Sequence, residues 1–243
     1  MALNQQQQSY YPEAGGRTAT TEVAARAKFI ERTYLHLAGA IAAFVALEYV
    51  FLGLRPMQDL AMSMMSTRAS WGLVLILFVG VSWIADYFAR HSSSRPMQYL
   101  GLGLYVLAEA VIFVPLLMIA QAYGGPDVIM TAGVSTLAIF AALTGIVMVT
   151  KKDFSWMRGA LMILGLGSVG LVFFSLAFGF SLGIFFVVFM IALSACYILY
   201  DTSNIMRHYH TEQYVAASLT LFASVALMFW YVLQFVMSLT SRD

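Results

Sequence analysis

Apolar blocks of about 20 residues recur along nearly the whole chain, divided by short polar breaks. A helix needs about 20 mostly apolar residues to cross a bilayer, so each block predicts one span. Seven are predicted, over residues 29–52, 71–89, 97–122, 128–149, 157–178, 183–206 and 214–239. The short connections make sequential neighbours antiparallel, with Gly124-Gly125-Pro126 and residues 179–183 reading as turns at the outer ends. Residues 1–25 are polar, with a glutamine run from Gln5 to Gln8, then Pro12, Gly15 and Gly16. They read as a disordered cytoplasmic tail, because they bury too little apolar area to offset ordering. They lack the apolar core of a secretory signal. No internal repeat divides residues 26–243, which read as one all-α, seven-helix transmembrane domain.

Composition fixes the solvent. The chain is 61% hydrophobic and 10% charged, against about 25% charged in a soluble domain. The net charge of +1 leaves no electrostatic footprint for nucleic acid. The single cysteine, Cys196, lies mid-span, where a small buried hydrophobe is the simple reading. Basic residues orient the chain. Arg17, Arg26, Lys28, Arg32, Arg90, Arg95, Lys151, Lys152, Arg158 and Arg207 fall on the N-terminal side, and Arg55, Arg68 and Arg242 on the other. The N-terminus is therefore expected in the cytoplasm and, after seven spans, the C-terminus on the opposite face.

Motifs for known chemistry are few. The run Gly165-Leu166-Gly167-Ser168-Val169-Gly170 has the spacing of a dinucleotide fingerprint, but no strand precedes it. Small residues within an apolar helix instead let two helices approach closely. His208 and His210 sit two apart, on different faces of a helix, and suit a solvated turn better than a metal. His36, one turn inside the first span, suits a polar contact between helices. Nothing resembles a nucleophilic triad, a zinc-protease helix or a phosphate loop, so no enzyme is expected.

The acids are more informative. Glu31, Glu48 and Asp86 lie near predicted span ends, within reach of headgroups, whereas Glu109 is central in the third span. Asp201 closes the sixth, within a turn or two of its cytoplasmic end. A charge inside a span costs roughly 2.5–3.5 kcal/mol on insertion scales. Two readings stand side by side: acids kept neutral or paired that glue helices together, or a proton-sensitive site. Burial favours the neutral acid and a nearby guanidinium the charged one. Arg90, at the cytoplasmic end of the second span, is at a depth that could reach Asp201.

The run Tyr197-Ile198-Leu199-Tyr200-Asp201, closing the sixth span, resembles the signature of the Bax inhibitor-1 (TMBIM) family. The entry to the first span, Lys28-Phe29-Ile30-Glu31-Arg32-Thr33-Tyr34, is similar too. Thr150-Lys151-Lys152-Asp153-Phe154-Ser155, Thr202-Ser203-Asn204-Ile205 and Ser241-Arg242-Asp243 resemble the bacterial YccA-like branch, over about residues 25–243 in all. The resemblance implies a bundle whose last helix is at the centre, in a bacterial inner membrane, with the C-terminus periplasmic. It also implies two activities. One is non-enzymatic restraint of the membrane-anchored protease FtsH, which engages the cytoplasmic tail. The other is a proton-sensitive calcium leak, gated by two aspartates that an arginine can engage. Calcium is the one ion the resemblance brings in, and the bilayer and FtsH are the partners it names.

Carried over by position, the first aspartate is Asp201 and the arginine falls on Arg90. The place of the second, within residues 219–224, is taken by Ser224, allowing one residue less in the preceding loop. A serine can hydrogen-bond Asp201 but cannot share a proton with it as a second carboxyl would. Asp201, Ser224, Arg90 and Glu109 are thus the proton- or ion-sensing candidates, with Asp201 the ligand if calcium binds.

Overall fold

The computed structural model describes residues 14–91 and 94–240, and among them every regular element is helical. In chain order these are α1 (Ala14–Gly53), α2 (Arg55–Met65), α3 (Arg68–His91), α4 (Arg95–Thr150), a 3-10 turn (Ser155–Met157), α5 (Arg158–Phe178), α6 (Gly183–Arg207) and α7 (Tyr214–Thr240). Among the described residues, six helices are long and apolar enough to cross a membrane.

The longest, α4, has 56 residues. At 1.5 Å per residue a straight helix of that length would run roughly 84 Å, far beyond a hydrocarbon core of about 30 Å. It is not straight. Gly125 adopts φ 69°, ψ −166°, and Pro126 follows it. That backbone conformation suits glycine alone, and proline cannot donate the bond that would carry the helix onward. Arg95 at the start of α4 and Lys151 just past its end both bond into residues 207–212. Gly124 instead lies against Thr240 at the far end of α7. The chain therefore reverses at the glycine pair, and the predicted third and fourth spans fall in the two arms of α4.

Local sequence explains the other boundaries. Ser94 caps α4 by accepting a bond from the Met97 amide, with proline in the first turn. Gly179 ends α5 in the left-handed conformation (φ 75°), packed against Arg68. Two boundaries differ from expectation. The helix of α1 begins at Ala14, so residues 14–25 continue it rather than forming a loose tail. The stretch Thr18 to Ala27 is rich in alanine and free of glycine and proline, which helix propensity favours. Residues 1–13 and the closing Ser241-Arg242-Asp243 lie outside the described residues. The second difference is α2, where a plain connection was expected. Pro56 starts it, and Ala61 and Met64, three apart, bury one narrow face against its neighbours.

The core gathers around two helices. α7 packs against α1, α3, α4 and α6, and the first arm of α4 buries Gly101 through Ala120 on several faces. Phe44, Phe113, Phe222 and Phe229 meet edge-on or stacked between α1, α4 and α7. α5 is peripheral and largely lipid-facing, touching chiefly α6 and α3. Of the fingerprint-like glycines, Gly165 sits where a Cβ would strike the Tyr197 hydroxyl. That hydroxyl donates to the Leu161 carbonyl at 2.8 Å. Gly167 and Gly170 face open space, so close helix approach explains one glycine of the three.

One end of the bundle collects the basic residues. Arg26 donates to the carbonyls of Tyr209 (2.6 Å) and Arg207 (3.4 Å), Arg95 pairs with Glu212, and Arg207 bonds the Lys151 carbonyl. His36 there contacts the Tyr99 hydroxyl at 2.9 Å and lies against Tyr214, joining α1, α4 and α7 as a polar contact. His208 and His210 are exposed in the turn between α6 and α7.

Candidate functional site

The inner face of α6 is read from its spacing. Met190, Leu193, Ser194, Ile198, Asp201, Thr202 and Ile205 are all buried, at intervals of three and four that form one stripe. Asp201 falls on that stripe and is only 7% exposed. Opposite it, α7 places Ser224 at 6% exposed, and its hydroxyl donates to Asp201 Oδ2 at 2.5 Å. A buried acid needs an answering group, and here it is a neutral donor on the neighbouring helix.

Arg90 is held elsewhere. Its Nε donates to Asp86 Oδ1 at 2.6 Å, Nη1 to the Tyr209 hydroxyl at 2.7 Å and Nη2 to Thr220 Oγ1 at 2.8 Å. Arg90 lies at the depth of Asp201 but its guanidinium bonds Thr220, one turn before Ser224 on α7. The α6–α7 turn intervenes through Tyr209, whose hydroxyl also lies 3.1 Å from Thr220 Oγ1. The charge thus stands one helical turn from the acid, within electrostatic reach but not in contact.

Glu109 belongs to another place. It is 6% exposed in the first arm of α4, beside the Tyr105 hydroxyl one turn earlier, and close enough to Glu48 of α1 for their charges to interact. Glu48 is itself 5% exposed, and neither of its carboxyl oxygens has a hydrogen-bond partner among the described residues. Its expected reach to headgroups is not what is found. α2 packs against α1, α3 and α4, and Gln58 bonds the Leu52 carbonyl at 2.7 Å, so the end of α1 is covered.

Of the four candidates, the structure brings Asp201 and Ser224 together, sets Arg90 one turn away and leaves Glu109 with Glu48 and Tyr105. The residues missed by sequence reasoning are Thr220 and Tyr209. Thr220 and Ser224 are four apart in an alanine- and leucine-rich helix, which is the signal that could have found the first. Tyr209 sits in a turn and carries no such signal. Thr202, next to Asp201 in the chain, brings its hydroxyl near those of Tyr34 and Thr144, and among the described residues none of the three has a hydrogen-bond partner. Chemically the arrangement can hold or release a proton, or one ligand bond to a cation, at a contact between two helices. Asp201 and Ser224 offer two carboxylate oxygens and a hydroxyl, where calcium takes roughly six to eight oxygens.

Apolar helices packed around a buried polar seam define a multi-pass helical membrane protein. Residues 26–242 match the family described as "Inhibitor of apoptosis-promoting Bax1", and the chain belongs to that Bax inhibitor-1 family. It is similar to Bax inhibitor 1 of Schizosaccharomyces pombe, 28% identical over 92% of this chain and 83% of that one. It is similar also to Protein lifeguard 4 of Mus musculus, 23% identical over 94% and 92%. An uncharacterised protein of Pasteurella multocida is 34% identical over 46% of this chain and 50% of its own.

Proposed function

We propose that this chain is a non-enzymatic membrane regulator whose switching element is the α6–α7 contact at Asp201. The observation that carries the reading is the buried Asp201–Ser224 hydrogen bond, a polar tie between α6 and α7. In this reading the two arms of α4 cross separately, giving seven crossings around a central α7. The reversal at Gly125 and the four neighbours of α7 support it. The basic end faces the cytoplasm of a bacterial inner membrane, as the distribution of arginine and lysine favours.

The regulated partner is an FtsH-type membrane protease, a reading supported by the YccA-like segments 150–155 and 202–205 and by the N-terminal residues 1–25. The test is co-purification from native membranes, with and without residues 1–25, followed by turnover of the protease's membrane substrates. Retention of the protease and slower turnover, both lost on truncation, are the expected results. A full-length chain that retains no protease and leaves turnover unchanged overturns the reading.

A second reading starts from the same buried acid where two helices meet. In it, protonation of Asp201 modulates a cation leak through the bundle. In reconstituted vesicles calcium flux would then change between acidic and neutral pH, and Asp201→Asn would abolish the change. Flux indifferent to both removes this reading and leaves the first standing.

A further inference from the structure

A cavity of about 180 Å³ opens at the basic end, between the end of α4 and the end of α6. Val147, Lys151, Lys152, Ser203, Met206 and Arg207 line it. Two of the chain's three lysines are therefore in one small space, with an arginine. Asp153 is the acid nearby. Its carboxylate accepts the Ser155 amide at 2.8 Å and feels the charges of Arg207 and His208. Among the described residues no carboxylate forms an ion pair with either lysine. Three cations against one acid leave the cavity positive.

Its frame is built rather than loose. The hydroxyl of Ser203, 1% exposed, accepts the Phe154 amide at 3.1 Å and donates to the Lys152 carbonyl at 3.3 Å. The Lys151 amide closes α4 by bonding the Val147 carbonyl at 2.9 Å, and the Arg207 guanidinium bonds the Lys151 carbonyl. The loop and α6 are thus tied together around the opening. Within the recess Val147 and Met206 supply an apolar wall, and the 3-10 turn that follows the loop exposes Trp156. Such a surface is apolar, at the level where a tryptophan suits the boundary between headgroups and tails. A positive recess with an apolar wall matches an amphiphile with an anionic head.

We propose that this cavity binds the phosphate of an anionic phospholipid, with Lys151, Lys152 and Arg207 around the headgroup and the start of an acyl chain against Val147 and Met206. Free inorganic phosphate shares the headgroup chemistry but has no use for the apolar wall. The site is separate from the Asp201 contact and stands or falls without it, although Ser203 is two residues further along the same helix.

The test uses the full chain in detergent, loaded with phosphatidylglycerol, washed against phosphatidylcholine and weighed by native mass spectrometry. The wild-type chain is expected to keep phosphatidylglycerol selectively. Lys151→Gln/Lys152→Gln should lower the retained amount by roughly thirtyfold, as two lysines near an anionic headgroup would imply. Lys28→Gln, at the same end of the bundle but outside the cavity, should leave it unchanged. The lysine side chains are exposed, so folding should survive; if the double variant does not fold, Lys152→Gln alone is read the same way. Equal retention by variant and wild type, or equal retention of phosphatidylcholine, overturns the proposal. Complete displacement of the lipid by inorganic phosphate does so too, because it assigns the cavity to a free anion.

Discussion

Two regions of this bundle bury acids, and they answer them differently. At α6–α7 the Asp201 carboxyl meets a hydroxyl at 2.5 Å, and an arginine held by three partners stands a turn away. Between α1 and α4, Glu48 and Glu109 share a neighbourhood in which neither Glu48 oxygen is hydrogen-bonded. The first region is a polar network made from three elements. The second is a pair of like groups with one tyrosine beside them. A buried polar group costs little when its partner is in place and about 1–3 kcal/mol when it is not. The contrast therefore predicts opposite responses to the removal of an acid or its partner.

The largest effect should come from Arg90→Ala, which removes one group from Asp86, Tyr209 and Thr220 at once. The Arg90 and Asp86 side chains are 34% and 39% exposed, so the loss should be about 2.5 kcal/mol, below the roughly 3–5 kcal/mol for breaking a buried ion pair. Thermal unfolding in detergent measures it. A change below about 0.5 kcal/mol would mean that the network is ornamental and that the two regions differ less than their geometry suggests.

Next in size is Ser224→Ala, which leaves the Asp201 carboxyl without its donor and should cost about 2 kcal/mol. Asp201→Asn should cost less, since the amide oxygen still accepts from Ser224. If Asp201→Asn proves the more damaging of the two, the charge itself is needed there and Arg90 acts on it through space.

At the other region the sign should reverse. Glu48→Gln removes an ionisable group whose oxygens have no partners and leaves a side chain of the same shape. Stability should hold or rise by about 1 kcal/mol, as when unpaired buried charge is replaced by something neutral. A loss of 2 kcal/mol or more would show that Glu48 is answered by a group the contact pattern does not reveal.

These two regions also show how much of the molecule the sequence made legible. The apolar blocks and the Gly124-Gly125-Pro126 break follow from the bilayer and from backbone sterics, so the helices and the reversal in α4 could be read directly. The helix α2 could not, because eleven residues are too few to span a bilayer and, amphipathic as they are, fall within the length of an ordinary connection. Asp201 stood out as a charge in an apolar run, and Ser224 was placed opposite it by family spacing. The depth of Arg90 was legible but its bonds to Asp86, Tyr209 and Thr220 were not, since depth along a helix says nothing of direction around it. Glu48 was misjudged for a related reason: proximity to a span end implies water only if no other element covers that end.

Asp153 supplies the control for both regions, being an acid that water reaches freely. Ser155, whose backbone N–H donates to Asp153 Oδ1 at 2.8 Å, holds the Asp153 carboxyl below the ordinary aspartate range. A folded-state value below the unfolded one means that the interaction stabilises the turn above the unfolded value of about 3.9 and is lost as pH falls through the folded one. The Ser155 amide resonance should therefore stay constant from neutral pH down to about 4 and shift only below it. In Asp153→Asn the shift should vanish, with little change in global stability, because a solvated acid has no desolvation to recover. A midpoint at or above the ordinary aspartate value would show that the turn does not favour the charged form. It would also weaken the premise behind both buried regions, that the groups standing next to an acid in this fold decide what the acid does.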